Sequence, residues 1–375
     1  MVAAAAAATR SIVIDATPLQ NAHAHRGIGA YVRGLFAALT LASSSSWGVL
    51  AYPGPLEEVG DRRRIQPVVP RRPRQLEFHG GWLIDELLLP VRLGRTAAFH
   101  ATDPRRIPRR RPVVIATVYD LTPLHDRSVW DALWPDQRLA YRQSLKGVRS
   151  ADAVIAISRT VKTDVATTLG VPTERIHVVY PALRDVVPPA AVNRDPRRLL
   201  YVGSADPHKN VDILLEALAL VPSAERPTLT IVGPWHRDAV NAAGDHAARL
   251  GIDPPRIEAY VGAGRLEEHF ATSSALVLPS RREGFGLPAI EAMARGVPVI
   301  AADIPVLREV TAGAARHFPV GDPAALAEEI GALLGDSADL ARLSELGVRR
   351  AKAFSPTRTL GSLLAAYRSV GVELT

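Results

Sequence analysis

The sequence contains no cysteine, and this absence excludes several kinds of chemistry at once. Without thiols the chain forms no disulfides, offers no cysteine nucleophile and holds no cysteine-ligated metal. It also has no apolar run near the roughly 18 residues that a membrane-spanning helix needs. The alanine-rich residues 1–10 have no basic stretch ahead of an apolar segment, so we expect a frayed leader there rather than a secretory signal. Together these features favour a cytoplasmic location.

Common metal-binding and cofactor-binding motifs are missing as well. The sequence has no Asp-x-Asp pair, which Mg²⁺ or Mn²⁺ diphosphate sites often use, no GxxxxGK[ST] loop and no HExxH helix. Gly27-Ile-Gly29, between the first strand-like and first helix-like segments, lacks the third glycine of a dinucleotide fingerprint. This loop could still place backbone N–H groups on a diphosphate or an acceptor. We expect no metal and no bound cofactor.

Lysine is scarce, and the formal net charge of +7 comes from arginines in the first half of the chain. Through residue 185 basic residues exceed acidic ones by nine, whereas the remainder carries a net charge of −2. The excess lies in runs at residues 62–64, 71–74 and 105–111. Such runs either form an ordinary solvated surface or attract an anionic acceptor or an acidic membrane surface. No aromatic residues interleave with the arginines, which disfavours nucleic acid as a partner.

The length and the pattern of the chain predict two α/β domains. A chain of 375 residues exceeds one typical domain, and strand-like and helix-like segments alternate throughout, as in parallel sheets with helical crossovers. A proline-rich stretch near Pro188 and Pro189 interrupts the alternation, which then restarts. We predict two doubly wound Rossmann-like domains facing a cleft, over residues 1–185 and 186–354. Residues 355–375 are expected to form a helix on the first domain, or alternatively an outer layer of the second.

The most informative segment is Ser-Arg-Arg-Glu-Gly-Phe-Gly-Leu-Pro-Ala-Ile-Glu-Ala-Met-Ala-Arg-Gly, residues 280–296. Two glycines let the backbone approach a ligand, and Pro288 suits the first helical position. A helix N-terminus behind a glycine loop at the carboxyl edge of a parallel sheet is an anion site. Glu283 and Glu291 are suited to accept hydrogen bonds from sugar hydroxyls. Alternatively, Glu291 complements the helix dipole and Glu283 is a solvated loop residue.

Two further loops follow predicted strands. In residues 201–210, Lys209 is predicted at a helix N-terminus, where its ammonium can neutralise a diphosphate. One ligand, a nucleoside diphosphate, would explain both this loop and the 280–296 segment. In the first domain, Asp120 follows a strand and is a candidate to contact the reacting sugars. Its alternative role is an Asx turn before Pro123.

These segments resemble the retaining glycosyltransferases of family 4, which have the two-domain GT-B architecture. The resemblance covers nearly the whole chain and is most specific from Glu283 to Glu291, which reproduces the family's two glutamates separated by seven residues within a Glu-Gly-Phe-Gly-Leu-Pro frame. It extends to residues 201–210, to residues 300–309, and to the opening Asp15–Leu19 with Gly27-Ile-Gly29. That opening looks like the subgroup that contains mannosyltransferases of bacterial surface polysaccharides.

The resemblance implies a metal-independent, retaining hexosyltransferase that uses a GDP-mannose-like donor or a UDP-sugar. The acceptor would be a glycan, a lipid-linked sugar or a small natural product. Lys209 would hold the donor diphosphate, Glu291 the ribose hydroxyls and Glu283 the hexose, with Asp120 as a third catalytic candidate. The donor-binding residues implied are Gly203, Ser204, His208, Lys209, Glu283, Gly284, Phe285, Gly286, Leu287 and Glu291.

Three positions depart from the family pattern. His208 and Ser204 stand where relatives commonly carry arginines, and Tyr119 stands where many have histidine before the aspartate. Neutralisation of the phosphates would then depend on Lys209, the helix dipole, or Arg281 and Arg282. Two other functions stay open: a non-catalytic nucleotide-sugar-binding or scaffolding subunit, and a nucleotide-sugar epimerase or sugar phosphorylase of the same architecture.

Overall fold

A computed structural model describes residues 12–21, 24, 27–42, 46–51, 56, 65–67, 93, 96–105, 112–183, 194–259 and 261–374. The leader, the prolines of the interrupted stretch and the arginine runs at 62–64, 71–74 and 106–111 lie outside the described residues. Contacts divide the chain into two compact units. Unit 1 comprises Met1–Leu121, Trp130–Arg184 and Pro356–Thr375, and unit 2 comprises Thr122–Val129 and Asp185–Ser355.

Unit 1 is built on a parallel sheet. Its strands are β1 (Ile12–Asp15), β2 (Trp47–Ala51), β3 (Ile65–Pro67), β4 (Ala98–Ala101), β5 (Val113–Val118), β6 (Ala153–Ala156) and β7 (Ile176–Val178). Their order across the sheet is β3-β2-β1-β4-β5-β6-β7, and every pairing is parallel. The order reverses between β1 and β4, which is the switch point of a doubly wound sheet.

Helices connect these strands. Those described before the second sheet include α1 (Gly27–Leu39), α2 (Thr122–His125), α3 (Arg127–Ala132), α4 (Pro135–Ser150) and α5 (Arg159–Leu169). The start of α5 carries a residue type favoured at that position, since Ser158 Oγ accepts a hydrogen bond from the Val161 N–H at 3.0 Å. Gly170, with φ of +67°, ends that helix.

The first helix differs from its prediction. Gly27 and Gly29, expected in a loop, lie in the first turn of α1. Gly29 is buried together with Val32 and Phe36, so the apolar face continues through the glycines to the helix start. Burial of this face outweighs the roughly 1 kcal/mol that a helical glycine costs relative to alanine.

Unit 2 has a second parallel sheet with the Rossmann strand order. Its strands are β8 (Asp195–Val202), β9 (Thr228–Val232), β10 (Arg256–Glu258), β11 (Ser273–Leu278), β12 (Val299–Ala302) and β13 (Arg316–Phe318). The order β10-β9-β8-β11-β12-β13 reverses between β8 and β11. The helices are α6 (Asp212–Leu220), α7 (Arg237–Leu250), α8 (Ala263–Thr272), α9 (Leu287–Ala294), α10 (Pro305–Thr311), α11 (Pro323–Leu334) and α12 (Ser337–Ala351). The predicted fold class, two doubly wound α/β domains, is confirmed.

The last helix, α13 (Pro356–Arg368), belongs to unit 1. The hydroxyl of its fully buried Tyr367 lies 2.8 Å from Nδ1 of His100 on β4. Nε2 of the same imidazole lies 2.7 Å from Thr117 Oγ1 on β5. Near the start of the helix, Thr359 Oγ1 donates to the Tyr180 carbonyl at 3.0 Å. The C-terminal helix is therefore joined to the sheet of unit 1 through a buried histidine.

Acid should destabilise unit 1 through His100. Complete burial lowers the pKa of this imidazole from 6.5 to about 3, so it stays neutral in the folded protein where the unfolded chain would protonate it. The contribution of His100 to the free energy of unfolding is fully present above pH 6.5. It is lost as the pH falls from 6.5 towards 3, and the loss is about 2 kcal/mol at pH 5. Urea unfolding at pH 7 and at pH 5 measures how much free energy of unfolding is lost between the two pH values. This loss should be about 2 kcal/mol smaller in His100→Asn than in the wild type.

The matched control is His236→Asn, which changes a histidine on the exposed surface of unit 2. This variant should keep the wild-type loss between the two pH values. An equal loss in the wild type and the His100 variant would show that other groups cause the acid sensitivity.

Candidate active site

Two loops leave the carboxyl ends of neighbouring strands in unit 2. The β8 loop, residues 203–210, follows β8, and the β11 loop, residues 279–286, follows β11. The two strands are adjacent and parallel. Because the strand order reverses between them, the connections run to opposite faces of the sheet and leave a crevice where ligands of such sheets bind.

Hydrogen bonds join the two loops. The backbone N–H of Arg281 donates to the His208 carbonyl at 2.8 Å, and the Arg281 guanidinium donates to the Pro207 carbonyl at 2.8 Å. Asn210 Nδ2 donates to the Pro279 carbonyl at 3.3 Å. These bonds between two loops fix the positions of the charged side chains that they carry.

Lys209 and Glu283 form an ion pair across this junction. Lys209 Nζ lies 2.8 Å from both carboxylate oxygens of Glu283, and Ser280 Oγ donates to Oε1 at 2.8 Å. The side chains are 20% and 11% exposed, so each charge is largely removed from water and depends on the other. The two candidate catalytic residues of unit 2 are therefore in direct contact.

The local structure at Lys209 differs from the prediction. Lys209 is the last residue of a 3-10 turn, Pro207–Lys209, and the helix α6 begins only at Asp212. The intervening Asn210 adopts a left-handed conformation, with φ of +56°, which a right-handed helix cannot continue. The ammonium is thus placed by a turn and not by a helix N-terminus.

Close backbone packing shapes the start of the β8 loop. A Cβ on Gly233, which follows β9 with φ of +153°, would lie 2.1 Å from the Gly203 carbonyl oxygen. That oxygen also accepts a hydrogen bond from Trp235 Nε1 at 2.9 Å. The next residue, Ser204, donates through Oγ to Asp206 at 2.5 Å. Where the family resemblance implies an arginine, this loop carries a serine paired with an aspartate, and the half-buried His208 follows.

Close packing shapes the end of the β11 loop. Phe285 is buried and meets Phe354 edge-to-face, with ring centroids 5.4 Å apart. Gly286 has φ of +93°, and a Cβ there would lie 2.6 Å from Leu307 Cδ2. Gly284 and Leu287 are half-buried. The helix α9 begins at Leu287, so Pro288 is its second residue, one position later than predicted.

Glu291 is the fifth residue of α9 and is half-buried. Its backbone carbonyl accepts a hydrogen bond from Arg295 Nη1 at 2.7 Å. The Arg295 guanidinium lies 4.7 Å from the Phe270 ring centroid and pairs with Glu267. These contacts hold the helix that carries Glu291 against α8.

Arg194, which sequence reasoning did not single out, fastens the ends of two helices in unit 2. Its guanidinium donates to the carbonyls of Phe270 and Ser273 near the end of α8, at 3.1 and 2.9 Å. It also donates to Arg295 and Gly296 after α9, at 2.9 and 3.1 Å. A cation at two helix C-termini complements both dipoles. A single arginine next to the proline-rich stretch carries no sequence signal of this role.

The candidates of the first domain lie in unit 1. Asp120 is exposed directly after β5. The preceding Tyr119 donates its hydroxyl to the Thr102 carbonyl at 2.9 Å and meets Tyr31 edge-to-face at 5.3 Å. Burial raises the pKa of Tyr119 well above its ordinary value, so this side chain is a neutral hydrogen-bond donor. Gly27 and Gly29 belong to α1, as described above.

Polar groups that the sequence reasoning missed lie at the carboxyl edge of the same sheet. Asp15, fully buried at the end of β1, accepts hydrogen bonds from the Thr17 N–H at 2.9 Å and the Thr17 hydroxyl at 2.7 Å. Asp103, after β4, forms an ion pair with Arg105 at 2.6 Å. Asp103 would have drawn attention if β4 had been recognised as a strand. A strand of four residues, however, gives no clear pattern.

Within the described ranges, no group of three or more His, Asp or Glu side chains is arranged to hold a metal ion. None of the helices in that part of the chain combines the length and apolarity that crossing a bilayer requires.

Two family models match the chain. Residues 27–184 match Glycosyltransferase Family 4, and residues 187–350 match Glycosyl transferases group 1. The two matches follow one another and cover all but the ends and a two-residue gap. The chain belongs to the group 1 glycosyltransferases of family 4.

Two curated relatives of this family 4 chain have names that state an enzyme activity. It is 33% identical to the D-inositol 3-phosphate glycosyltransferase of Thermobispora bispora, over 58% of this chain and 56% of the relative. It is 28% identical to the O-antigen chain mannosyltransferase RfbU of Salmonella typhimurium, over 74% of this chain and 73% of that protein. Across the first five relatives the matches span only about a third to three fifths of the relative's length.

Solved structures show the same fold. Anabaena Alr3699/HepE, solved in complex with UDP and glucose, has a TM-score of 0.72 and 18% sequence identity. The match covers 96% of this chain and 99% of that one. This family 4 chain therefore has the GT-B fold, as the sequence resemblance implied.

Proposed function

We propose that this protein transfers a hexose from a nucleoside diphosphate sugar, GDP-mannose-like or a UDP-sugar, to a glycan, lipid-linked or small-molecule acceptor, with retention of configuration. The observation that carries the proposal is the Lys209–Glu283 pair at the switch point of unit 2. It sets a cation for a diphosphate beside a carboxylate for sugar hydroxyls, 2.8 Å apart. The names of the inositol phosphate glycosyltransferase and mannosyltransferase relatives, and the UDP and glucose of the structural neighbour, support it.

In this proposal Lys209 stabilises the leaving diphosphate. An ammonium has three N–H donors, so Lys209 can contact a phosphate oxygen and keep a bond to Glu283. The first-turn N–H groups of α9 and the guanidinium of Arg282 add positive potential, since Ser204 and His208 replace the arginines of relatives. The main catalytic effect is electrostatic, because negative charge develops on the departing phosphate of an oxocarbenium-like transition state.

The anomeric configuration is retained because the acceptor attacks C1 of the hexose on the face from which the phosphate leaves. The bond between C1 of the hexose and the phosphate oxygen breaks, and a bond from C1 to the acceptor hydroxyl oxygen forms. The acceptor's proton passes to the departing phosphate. Glu283 accepts hydrogen bonds from the hexose and Glu291 from the ribose, while Asp120 and the α1 glycines of unit 1 serve the acceptor or the diphosphate. We assign no side chain as a covalent nucleophile.

We further propose a cytoplasmic protein with peripheral membrane contact through the basic first half of the chain. The alternative function is a donor-binding or scaffolding subunit without turnover, which the Ser204–Asp206 pair favours because it leaves a carboxylate bonded to the position where the family resemblance implies a cation. Incubation with a donor labelled in the hexose separates the two. Labelled glycoside product or free hexose supports the enzyme, and a saturable donor complex without either supports the binding subunit.

Lys209→Ala should lower turnover by about a hundredfold, because the leaving group loses a preorganised charge. Thermal unfolding with UDP, GDP, TDP or ADP should identify the base, since a ligand at 100 times its Kd stabilises by about 2.7 kcal/mol. The same nucleotide should stabilise the Lys209 variant less. Lys352→Ala, which removes an exposed lysine of unit 2, is the matched control. Near-wild-type turnover of Lys209→Ala would contradict the assigned phosphate site.

Transfer should survive EDTA. The argument is that Lys209 and the N-terminus of α9 supply the positive charge that a divalent cation provides in other diphosphate sites. Initial rates with excess EDTA should equal those with added Mg²⁺ or Mn²⁺. Complete loss on chelation with recovery on adding either cation would overturn the metal-independent mechanism.

The two glutamates should separate by kinetic signature. Glu291→Gln weakens contact with the ribose, a non-reacting part of the donor, so the donor KM should rise and nucleoside diphosphate binding should weaken. Glu283→Gln acts where charge develops, so kcat should fall while affinity for the free nucleoside diphosphate changes little. Steady-state rates and calorimetric titration of both variants measure the contrast. Loss of diphosphate affinity in the Glu283 variant alone would reverse the assignments.

A further inference from the structure

An exposed stripe on α4 in unit 1 is apolar at one end and basic at the other. In this helix, Leu139, Arg142, Lys146 and Arg149 are exposed, at intervals of three and four residues that place them on one face. Trp134, immediately before the helix, continues the stripe. Trp134 is 70% exposed and Leu139 49% exposed. We call these five residues the α4 stripe.

The α4 stripe carries cations and no carboxylate. Every exposed residue from 134 to 150 is apolar, basic, proline or serine, and Asp136 is half-buried beside the stripe. The opposite face of the helix carries the buried Leu145 and Val148, so the helix is anchored and presents the stripe outward. The stripe therefore offers a fixed positive surface next to a large exposed aromatic ring.

A neighbouring ring orders part of this surface. The Arg142 guanidinium carbon lies 5.4 Å from the Trp130 ring centroid, and that of Arg138 lies 5.8 Å from it. Arg138 also donates to the Trp130 and Asp131 carbonyls, and Arg149 donates to the Leu169 carbonyl, so both guanidinium groups are used within the fold. Arg142 is exposed and its charge rests on the aromatic face, so Arg142 and Lys146 are the cations that the stripe offers to a ligand.

We propose that the α4 stripe docks unit 1 on an anionic lipid bilayer. Tryptophan is favoured at the headgroup level, leucine at the acyl boundary, and arginine and lysine opposite lipid phosphates, so the stripe carries the residue types that each of these contacts needs. Positive charge without carboxylates complements an anionic leaflet. The stripe extends about 22 Å along the helix axis, so α4 would lie in the plane of the interface. The inference gives the proposed membrane contact a surface, and it does not depend on sugar transfer.

Co-sedimentation with vesicles tests the docking surface. The wild type should bind vesicles of phosphatidylcholine with about a third phosphatidylglycerol far better than pure phosphatidylcholine, and high salt should weaken binding. Arg142→Gln with Lys146→Gln should weaken it about twentyfold, and Trp134→Ser with Leu139→Ser about tenfold. The matched control, Lys352→Gln with Leu220→Ser, removes an exposed cation and an exposed leucine from unit 2 and should bind as the wild type does.

Tryptophan fluorescence gives a second readout. Addition of anionic vesicles should shift emission to the blue, and Trp134→Phe should abolish most of the shift. Wild-type affinity in both stripe variants, equal binding to neutral vesicles, or no binding at all would overturn the proposal. Transfer to a water-soluble acceptor is measured in parallel. Its absence would count against the proposed glycosyltransferase activity and leave the docking result standing.

Discussion

The ion pair between Lys209 and Glu283 is the interaction on which the candidate site of unit 2 depends. Each charge is largely withdrawn from water, and such a charge is stable only beside a partner. The pair can form because β8 and β11 are adjacent and parallel, which brings loops 74 residues apart in sequence to one edge of the sheet. The same strand order creates the crevice in which doubly wound sheets bind ligands. The strand order therefore accounts both for the contact between Lys209 and Glu283 and for their position at the ligand-binding crevice.

The backbone around the pair is also held by contacts outside the pair itself. Gly233 allows one strand connection to pass against the Gly203 carbonyl, and Gly286 turns the β11 loop into α9. Arg194 holds the ends of α8 and α9 through four backbone carbonyls. A site fixed in this way needs little reorganisation when charge develops on a bound diphosphate, which is the condition for electrostatic catalysis.

The two units carry different charge and different chemistry. Unit 2 contains the Lys209–Glu283 pair and the helix N-terminus that suit a nucleoside diphosphate sugar. Unit 1 contains buried polar groups at its own switch point, such as Asp15, and the basic α4 stripe on its surface. Docking through the α4 stripe would suit an acceptor attached to lipid, because docking would confine enzyme and acceptor to one surface.

The sequence by itself determined the fold class, since alternating strand and helix periods persist over whole elements, and it determined the glutamate motif from Glu283 to Glu291. It also specified local features that depend only on neighbours, such as the Ser158 cap and the Gly170 stop. The strands β10 and β13 show no strand pattern in the sequence, because Arg-Ile-Glu and Arg-His-Phe are not apolar runs. Tertiary structure alone decided that α1 runs through its glycines, that Lys209 sits on a 3-10 turn, and that it pairs with Glu283, because packing and strand order set contacts between residues distant in sequence.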